Sequence, residues 1–224
     1  MPMFVLYVIA DRGIFSSDHE WLEKTADVAA ACAKRDRVAL QVRIKSETPD
    51  RKAALAAMAK EALGPASAGA FLNGGTTEAT QAGYNAVHWP EIEIPTGHPA
   101  NVPGLRAGAS VHSVEAAARA ETAGASFLVF GSVFEPGSKP GTAAGTAPLT
   151  DVAQHANLPV LAVGGITPER VETCIRAGAF GVAVVTGVMR ATDPADAIDT
   201  YLAACEAAGK PELVERGGSS WLRN

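Results

Sequence analysis

Residues 160–187 read VLAVGGITPERVETCIRAGAFGVAVVTG, and the order of residue types in that stretch decides the fold. Val160 to Gly164 is a short apolar run that closes on a pair of glycines. Thr167-Pro168-Glu169 then carries the marks of a helix start: an N-cap hydroxyl, a proline at the first helical position and a carboxylate in the first turn. Val171, Cys174 and Ile175 follow at three- and four-residue spacing, which predicts one buried helix face, and Gly178 ends it. Gly181 to Val185 is a second apolar run, closing on Thr186-Gly187. Strand, helix and strand in that order imply parallel strands joined by a right-handed crossover.

The same unit recurs along the chain. Further strand candidates are Phe4–Ile9, Val38–Ile44, Ala70–Leu72, Asn85–His88, Ala107–Val111 and Phe127–Gly131. Asp18 is placed to cap the first helix, whose buried face would be Leu22, Ala26, Ala29 and Cys32. The last helix would begin near Asp193-Pro194 and bury Ile198, Tyr201, Leu202 and Cys205. After the fourth strand the stretch from Ile92 to Leu105 is rich in proline and has little periodicity, so its helix is weak. Eight such units predict a single (β/α)8 TIM barrel with a parallel eight-stranded core, spanning residues 1–208 and followed by a tail over 209–224. The chain's 224 residues suit a barrel of about 200 to 250 residues. An open doubly wound sheet is the alternative. It would carry its glycine fingerprint after the first strand, where Asp11-Arg12-Gly13 stand instead. In the tail, Gly217-Gly218-Ser219-Ser220 reads as flexible, and Trp221 and Leu222 could dock on a neighbour.

Composition narrows the function classes. With 47% hydrophobic and 19% charged residues the chain can bury one large core. A net charge of -5 argues against a nucleic-acid partner, which would need a basic face. Three cysteines, Cys32, Cys174 and Cys205, are an odd number without a C-x-x-C pair. Each lies in a helical apolar pattern, so buried thiols in a reducing compartment are expected. No apolar run approaches the roughly 18 residues of a membrane span. The expectation is a cytoplasmic enzyme with a small-molecule substrate and no membrane or nucleic-acid partner; a homo-oligomer is compatible with the sequence.

In such barrels the active site lies at the C-terminal ends of the strands. Asp11 and Arg12 stand after the first strand, Gln41, Arg43 and Lys45 on or after the second, and Asn73, Gly74 and Gly75 after the third. His88 ends the fourth, Ser110, His112 and Ser113 the fifth, and a loop from Ser132 through Lys139 to Ala147 follows the sixth. Gly164 and Gly165 end the seventh strand, Thr186 and Gly187 the eighth. Glycines let backbone N–H groups approach an anion without a Cβ in the way, and these two loops form the usual barrel phosphate site. Two ordinary tight turns are the alternative. Gln41, Arg43 and Lys45 alternate, so they share one face, and three buried polar groups there favour an anionic ligand. The alternative is an ion pair with a carboxylate such as Asp11. His112 could exchange a proton near neutral pH, whereas His88 reads as a histidine satisfied by neighbouring backbone, and His19, His98 and His155 as surface residues. Lys139, in a loop rich in glycine, proline and threonine, could reach a phosphate from a mobile lid.

The succession LYVIADR, QVRIK, SVHS, FGSVFEPGSKPG, AVGGIT and GVAVVTG resembles the thiamine phosphate synthase/thiazole tautomerase (TenI) family, in order and up to about Leu202. The resemblance implies a barrel enzyme of thiamine biosynthesis. Synthases of that family join a pyrimidine diphosphate to a thiazole phosphate with Mg²⁺; tautomerases aromatise a thiazole carboxylate phosphate by moving a proton, without a metal. Carried over by position, Gly165, Thr186 and Gly187 would hold the thiazole phosphate, with Gly164 beside them. Gln41, Arg43, Lys45 and Lys139 match positions that hold the pyrimidine diphosphate. Ser110 matches a serine near the reacting centre, Asn73 a third-strand substrate contact, and His112 the acid–base histidine of the tautomerases. Two departures stand out. Synthases place an aspartate, a metal ligand, directly after the third-strand asparagine, and Gly74 stands here. They also read His-Leu-Gly-Gln and then an aspartate after the fourth strand, where this chain has His88-Trp89-Pro90-Glu91-Ile92-Glu93. Those departures favour the tautomerase, with no metal and no cofactor. A synthase, with Mg²⁺, is the alternative reading, and a non-catalytic binder of thiazole phosphate is a third.

Overall fold

The structure, a computed structural model, describes residues 4–96, 104–135 and 143–209. Its eight strands are β1 Leu6–Asp11, β2 Val38–Arg43, β3 Phe71–Asn73, β4 Ala86–Trp89, β5 Arg106–Val111, β6 Phe127–Gly131, β7 Val160–Val163 and β8 Gly181–Val184. They pair in parallel in chain order, and β8 returns to β1, with Leu6 opposite Val182 and Val8 opposite Val184. The sheet is therefore a closed barrel, as the repeated strand–helix unit predicts. The eight helices among the described residues are α1 Asp18–Ala33, α2 Pro49–Leu63, α3 Thr76–Gln81, α4 Val114–Thr122, α5 Thr146–His155, α6 Pro168–Arg176, α7 Thr186–Met189 and α8 Pro194–Ala207. After β4, where the proline-rich stretch predicts a weak helix, the described residues form a short 3-10 turn, Glu91–Glu93.

Strand alternation divides the core in two. Leu6, Val8 and Ala10 of β1 face outward onto the helices, while Tyr7 and Ile9 face the barrel interior. The interior is filled in levels. Near the N-terminal end, Phe4, Tyr7, Phe71 and Phe127 pack largely edge to face, with the Tyr7 and Phe71 centroids 5.6 Å apart. Gly108 makes this possible: a Cβ there would lie 2.2 Å from the Phe127 ring. Toward the C-terminal ends the inward positions turn polar, as Gln41, Asn73, His88 and Ser110. The apolar floor thus carries a polar mouth.

The helix starts repeat a few local devices, with one shift from the sequence reading. Ser17, not Asp18, caps α1, accepting a hydrogen bond from the Glu20 amide. Asp18 instead takes Arg12 Nε at 2.6 Å and also pairs with Arg51. The buried face of α1 turns accordingly onto Trp21, Thr25, Val28, Ala29 and Cys32, leaving Leu22 and Ala26 half-buried. Trp21 decides that phase: its ring is fully buried and its Nε1 donates to the Ala10 carbonyl at 3.2 Å. In α6 Val171, Cys174 and Ile175 are buried as expected, and in α8 Ile198, Tyr201 and Cys205 are, with Leu202 half-buried. All three cysteines are free and buried. No helix among the described residues is long and apolar enough to cross a membrane. Lys139, His98 and the tail beyond Gly209 lie outside the described residues.

Candidate active site

The strand tops surround an open cavity of about 740 Å³. Into it the structure brings Gln41, Arg43 and Lys45 from the second strand and its loop, Asn73 from β3, Ser110 and His112 from β5 and its end. Gly164, Gly165, Thr186 and Gly187 line the opposite side. Lys139 lies outside the described residues, and of the strand-top positions named from the sequence Arg12, Gly74, Gly75 and Ser113 do not line this mouth.

The second strand is less uniform than its alternation implies. Gln41 is buried, Arg43 half-buried and Lys45 exposed, because β2 ends at Arg43 and Lys45 lies on the following loop. Arg43 is paired with Asp11, which stands directly opposite it in the β1–β2 register. The ion pair left open as an alternative therefore exists, and an anionic ligand is not needed to compensate Arg43. Asp11 also accepts from the Gly13 amide at 3.0 Å, which holds the carboxylate in place.

His88 sits deeper. Its Nε2 is 3.0 Å from Ser110 Oγ and its Nδ1 is 3.4 Å from the Tyr7 hydroxyl, which accepts Gln41 Nε2 at 3.2 Å. Its partners are thus side chains rather than the backbone expected from the sequence. Burial, and then the positive charge of Arg43, push His88 down to about 3, so the imidazole is neutral in the folded protein. Asn73 anchors this level by donating from Nδ2 to the His88 carbonyl at 3.2 Å.

His112 is its opposite in environment. It stands at the rim with 66% of its side chain exposed, one residue before Ser113, whose hydroxyl caps α4. Its Nδ1 lies 2.6 Å from Glu91 Oε2, and Arg119 approaches the other Glu91 oxygen at 3.4 Å. Glu91 is the residue the sequence reading underused; its three-residue offset from His88 was the available signal. A carboxylate on Nδ1 fixes the ring and its tautomer, leaving Nε2 to exchange a proton. His19 and His155 are on the surface, as expected.

Across the mouth the two glycine turns are locked from behind. The Gly164 carbonyl accepts from the Phe134 amide at 3.1 Å, and the Gly165 carbonyl accepts from Arg170 Nη1 at 2.7 Å. In a planar trans peptide the N–H points opposite to the C=O, so the next amides, of Gly165 and Ile166, are turned the other way. Gly165 has φ +59°, and a Cβ there would meet the Glu135 carbonyl at 2.5 Å. A Cβ on Gly187 would lie 2.2 Å from the Tyr201 hydroxyl, which donates to the Ile166 carbonyl at 3.0 Å. Tyr201 thus ties the loop after β7 to the first turn after β8, where the amides of Thr186 and Gly187 have no preceding helical carbonyl to bond.

The third strand is different again. The space a side chain at position 74 would occupy is already filled: its Cβ would lie 2.2 Å from Glu78 Oε2 and 2.9 Å from Lys52 Nζ. Glu78 holds Lys52 at 2.8 Å and the Gly75 amide at 3.1 Å. Gly74 and Gly75 do not line the mouth.

Fold and mouth together define a (β/α)8-barrel enzyme whose polar groups gather at the C-terminal ends of its strands. The "Thiamine monophosphate synthase" family matches residues 6–188. A thiamine-phosphate synthase of Methanoculleus marisnigri is 34% identical over 92% of this chain and 98% of its own length. One from Roseiflexus castenholzii is 34% identical over 85% and 83%. Among solved structures, the thiamine phosphate pyrophosphorylase of Pyrococcus furiosus superposes with a TM-score of 0.67 at 25% identity, covering 91% of this chain and 96% of that one. A 3-hexulose-6-phosphate synthase, at 19% identity and a TM-score of 0.61, shares the fold alone. The chain belongs to the thiamine phosphate synthase/TenI family, enzymes of thiamine biosynthesis.

Proposed function

We propose that this protein is a thiazole tautomerase, aromatising a thiazole carboxylate phosphate by proton transfer. The observation that carries the reading is the His112–Glu91 pair at the rim of a mouth whose other side offers backbone amides. In this reading the amides of Gly165, Thr186 and Gly187 hold the phosphate, with Gly164 shaping the turn. Binding at that non-reacting end positions the ring. His112 Nε2 takes the ring proton, or returns one to the exocyclic carbon, and Glu91 stabilises the imidazolium while it carries the proton. Gln41, Lys45 and Asn73 border the substrate, and the substrate carboxylate lies on the side of the second strand. Lys139 is proposed to reach the phosphate from its loop.

The family's synthases imply Mg²⁺, which bridges phosphates through well-placed oxygens. Among the described residues the mouth is lined by three carboxylates. Asp11 holds Arg43, Glu91 holds His112 and Arg119, and Glu47 is exposed on the loop after β2. The third-strand aspartate has no counterpart, and the Lys52–Glu78 pair occupies its place. This donor set does not fit a synthase-type Mg²⁺ site.

The synthase is the second reading, favoured by the relatives: those at 31–36% identity are named thiamine-phosphate synthases, one of them as putative. The purified protein, assayed with both substrate sets with Mg²⁺ and with EDTA, separates the two. Aromatisation indifferent to EDTA is expected. Mg²⁺-dependent thiamine phosphate formation at an ordinary enzymic rate, about 1 s⁻¹ or more, would establish the synthase instead.

The anion site has its own test. Gly187→Ala forces Tyr201 off the Ile166 carbonyl and loosens both loops. Inorganic phosphate should bind at least about tenfold more weakly, roughly 1.4 kcal/mol, by isothermal titration. Equal affinity in the two proteins would remove these loops from the proposal.

A further inference from the structure

We propose that Ser110 is a fixed hydrogen-bond donor to the ligand, its polarity set by a buried relay that runs from Gln41 through Tyr7 and His88. The inference rests on the mouth being the ligand site and deepens the reading above. It concerns residues that the proton transfer itself does not use.

The direction follows from counting protons. The Gln41 amide nitrogen donates to the Tyr7 oxygen at 3.2 Å. The phenol has one hydrogen of its own, and burial keeps it on the oxygen by raising Tyr7 well above its ordinary value. The acceptor facing it is His88 Nδ1, at 3.4 Å. A neutral imidazole carries one hydrogen, so with Nδ1 accepting, the hydrogen sits on Nε2. Nε2 is 3.0 Å from Ser110 Oγ and donates to it. Ser110 has then received a hydrogen bond from the barrel interior, so its own hydrogen is not spent on His88 and is available to a ligand in the cavity it lines. Reversal, with Nδ1–H donating to Tyr7 and Ser110 donating to Nε2, would need a different acceptor for the Tyr7 hydrogen, such as the Gln41 carbonyl oxygen, and would leave Ser110 an acceptor toward the cavity.

A fixed donor selects its ligand. The site should favour a molecule that places a lone pair, such as a carboxylate oxygen or an unprotonated ring nitrogen, over β5. A ligand with an N–H or O–H at that point could use only the remaining Ser110 lone pair and would leave the hydroxyl hydrogen of this half-buried group without an acceptor. Tyr7 and His88 are therefore positioning residues, acting through Ser110.

Two measurements test this. In ¹⁵N-resolved NMR of the unliganded wild type, His88 should be the neutral tautomer protonated at Nε2; protonation at Nδ1 overturns the proposal. Tyr7→Phe keeps the ring packing but removes the donor to His88. Together with Ser110→Ala, it should lower turnover of the thiazole carboxylate phosphate about tenfold per folded molecule, the scale of one hydrogen bond. The affinity for inorganic phosphate should stay within about twofold, because a single hydrogen bond remote from the glycine loops is changed. Loss in Ser110→Ala with full turnover in Tyr7→Phe would also overturn the relay. If the protein proves not to be a tautomerase, the tautomer of His88 still decides the inference, and the affinity of both variants for thiazole phosphate replaces turnover as the second readout.

Discussion

Replacing His112 by asparagine is expected to reduce aromatisation by about 10²–10⁴-fold, roughly 3 to 5 kcal/mol of barrier, with little change in stability or in ligand affinity. Asparagine can still donate to Glu91, but it has no group that gains and loses a proton near neutral pH. His112 is mostly exposed and precedes the cap of α4 without being part of it, and exposed substitutions of that kind usually fall within about 0.5 kcal/mol. The amides after β7 and β8, on the other side of the mouth, are untouched. Turnover, phosphate affinity and melting temperature measured on the one variant separate three outcomes. A fall in rate alone supports the acid–base role. A fall in stability with an unchanged rate per folded molecule makes His112 structural. A wild type that binds thiazole phosphate without turning it over makes the protein a binder.

Acid should destabilise the protein through His88. An unfolded histidine titrates near 6.5, and the buried one is pushed down to about 3. Between those values the unfolded chain binds a proton that the folded chain refuses. The contribution is complete above about pH 6.5 and is lost as pH falls toward 3, at about 1.4 kcal/mol per pH unit. Its full span, about 5 kcal/mol, is comparable with the whole margin of many domains. Carboxyls held low by arginines, Asp18 by Arg12 and Asp199 by Arg35, add to the loss only below their ordinary value of 3.8. The window from pH 6.5 to 4.5 therefore reports on His88. Urea midpoints should fall across it in the wild type and fall less steeply in His88→Gln. The same slope in both proteins would mean that His88 is protonated when folded, and the relay to Ser110 would lose its neutral member.

The repeated alternation of apolar runs and capped helices was enough to predict all eight strands and closure, because each unit is local. Boundaries went astray where neighbours decide them. β1 runs on to Asp11 because β2 pairs with it as far as Arg43, and β7 stops at Val163 because Gly164 takes φ +100°. The phase of α1 depends on where the indole of Trp21 finds a carbonyl in β1, which no periodicity within the helix reveals. The site divides in the same way. That the strand tops are polar is legible position by position. Which polar groups face each other is not: Tyr7 and His88 are 81 residues apart, and Glu91 meets His112 across 21. The Lys52–Glu78 pair that fills the place of the missing aspartate was equally invisible, although Gly74 announced the vacancy.

Closure of the barrel also sets a timetable. Of the eight strands β1 is made before the others and acquires its second neighbour last, when residues 182–184 arrive opposite Leu6, Tyr7 and Val8. Until then one edge of the first strand stays open, with its backbone groups unpaired, the condition under which nascent sheets recruit the wrong partner. Both glycine turns belong to the last third of the chain, and Tyr201, which joins them, comes later still. A ligand held there cannot assist the early stages of folding. It can only reward a barrel that has already closed.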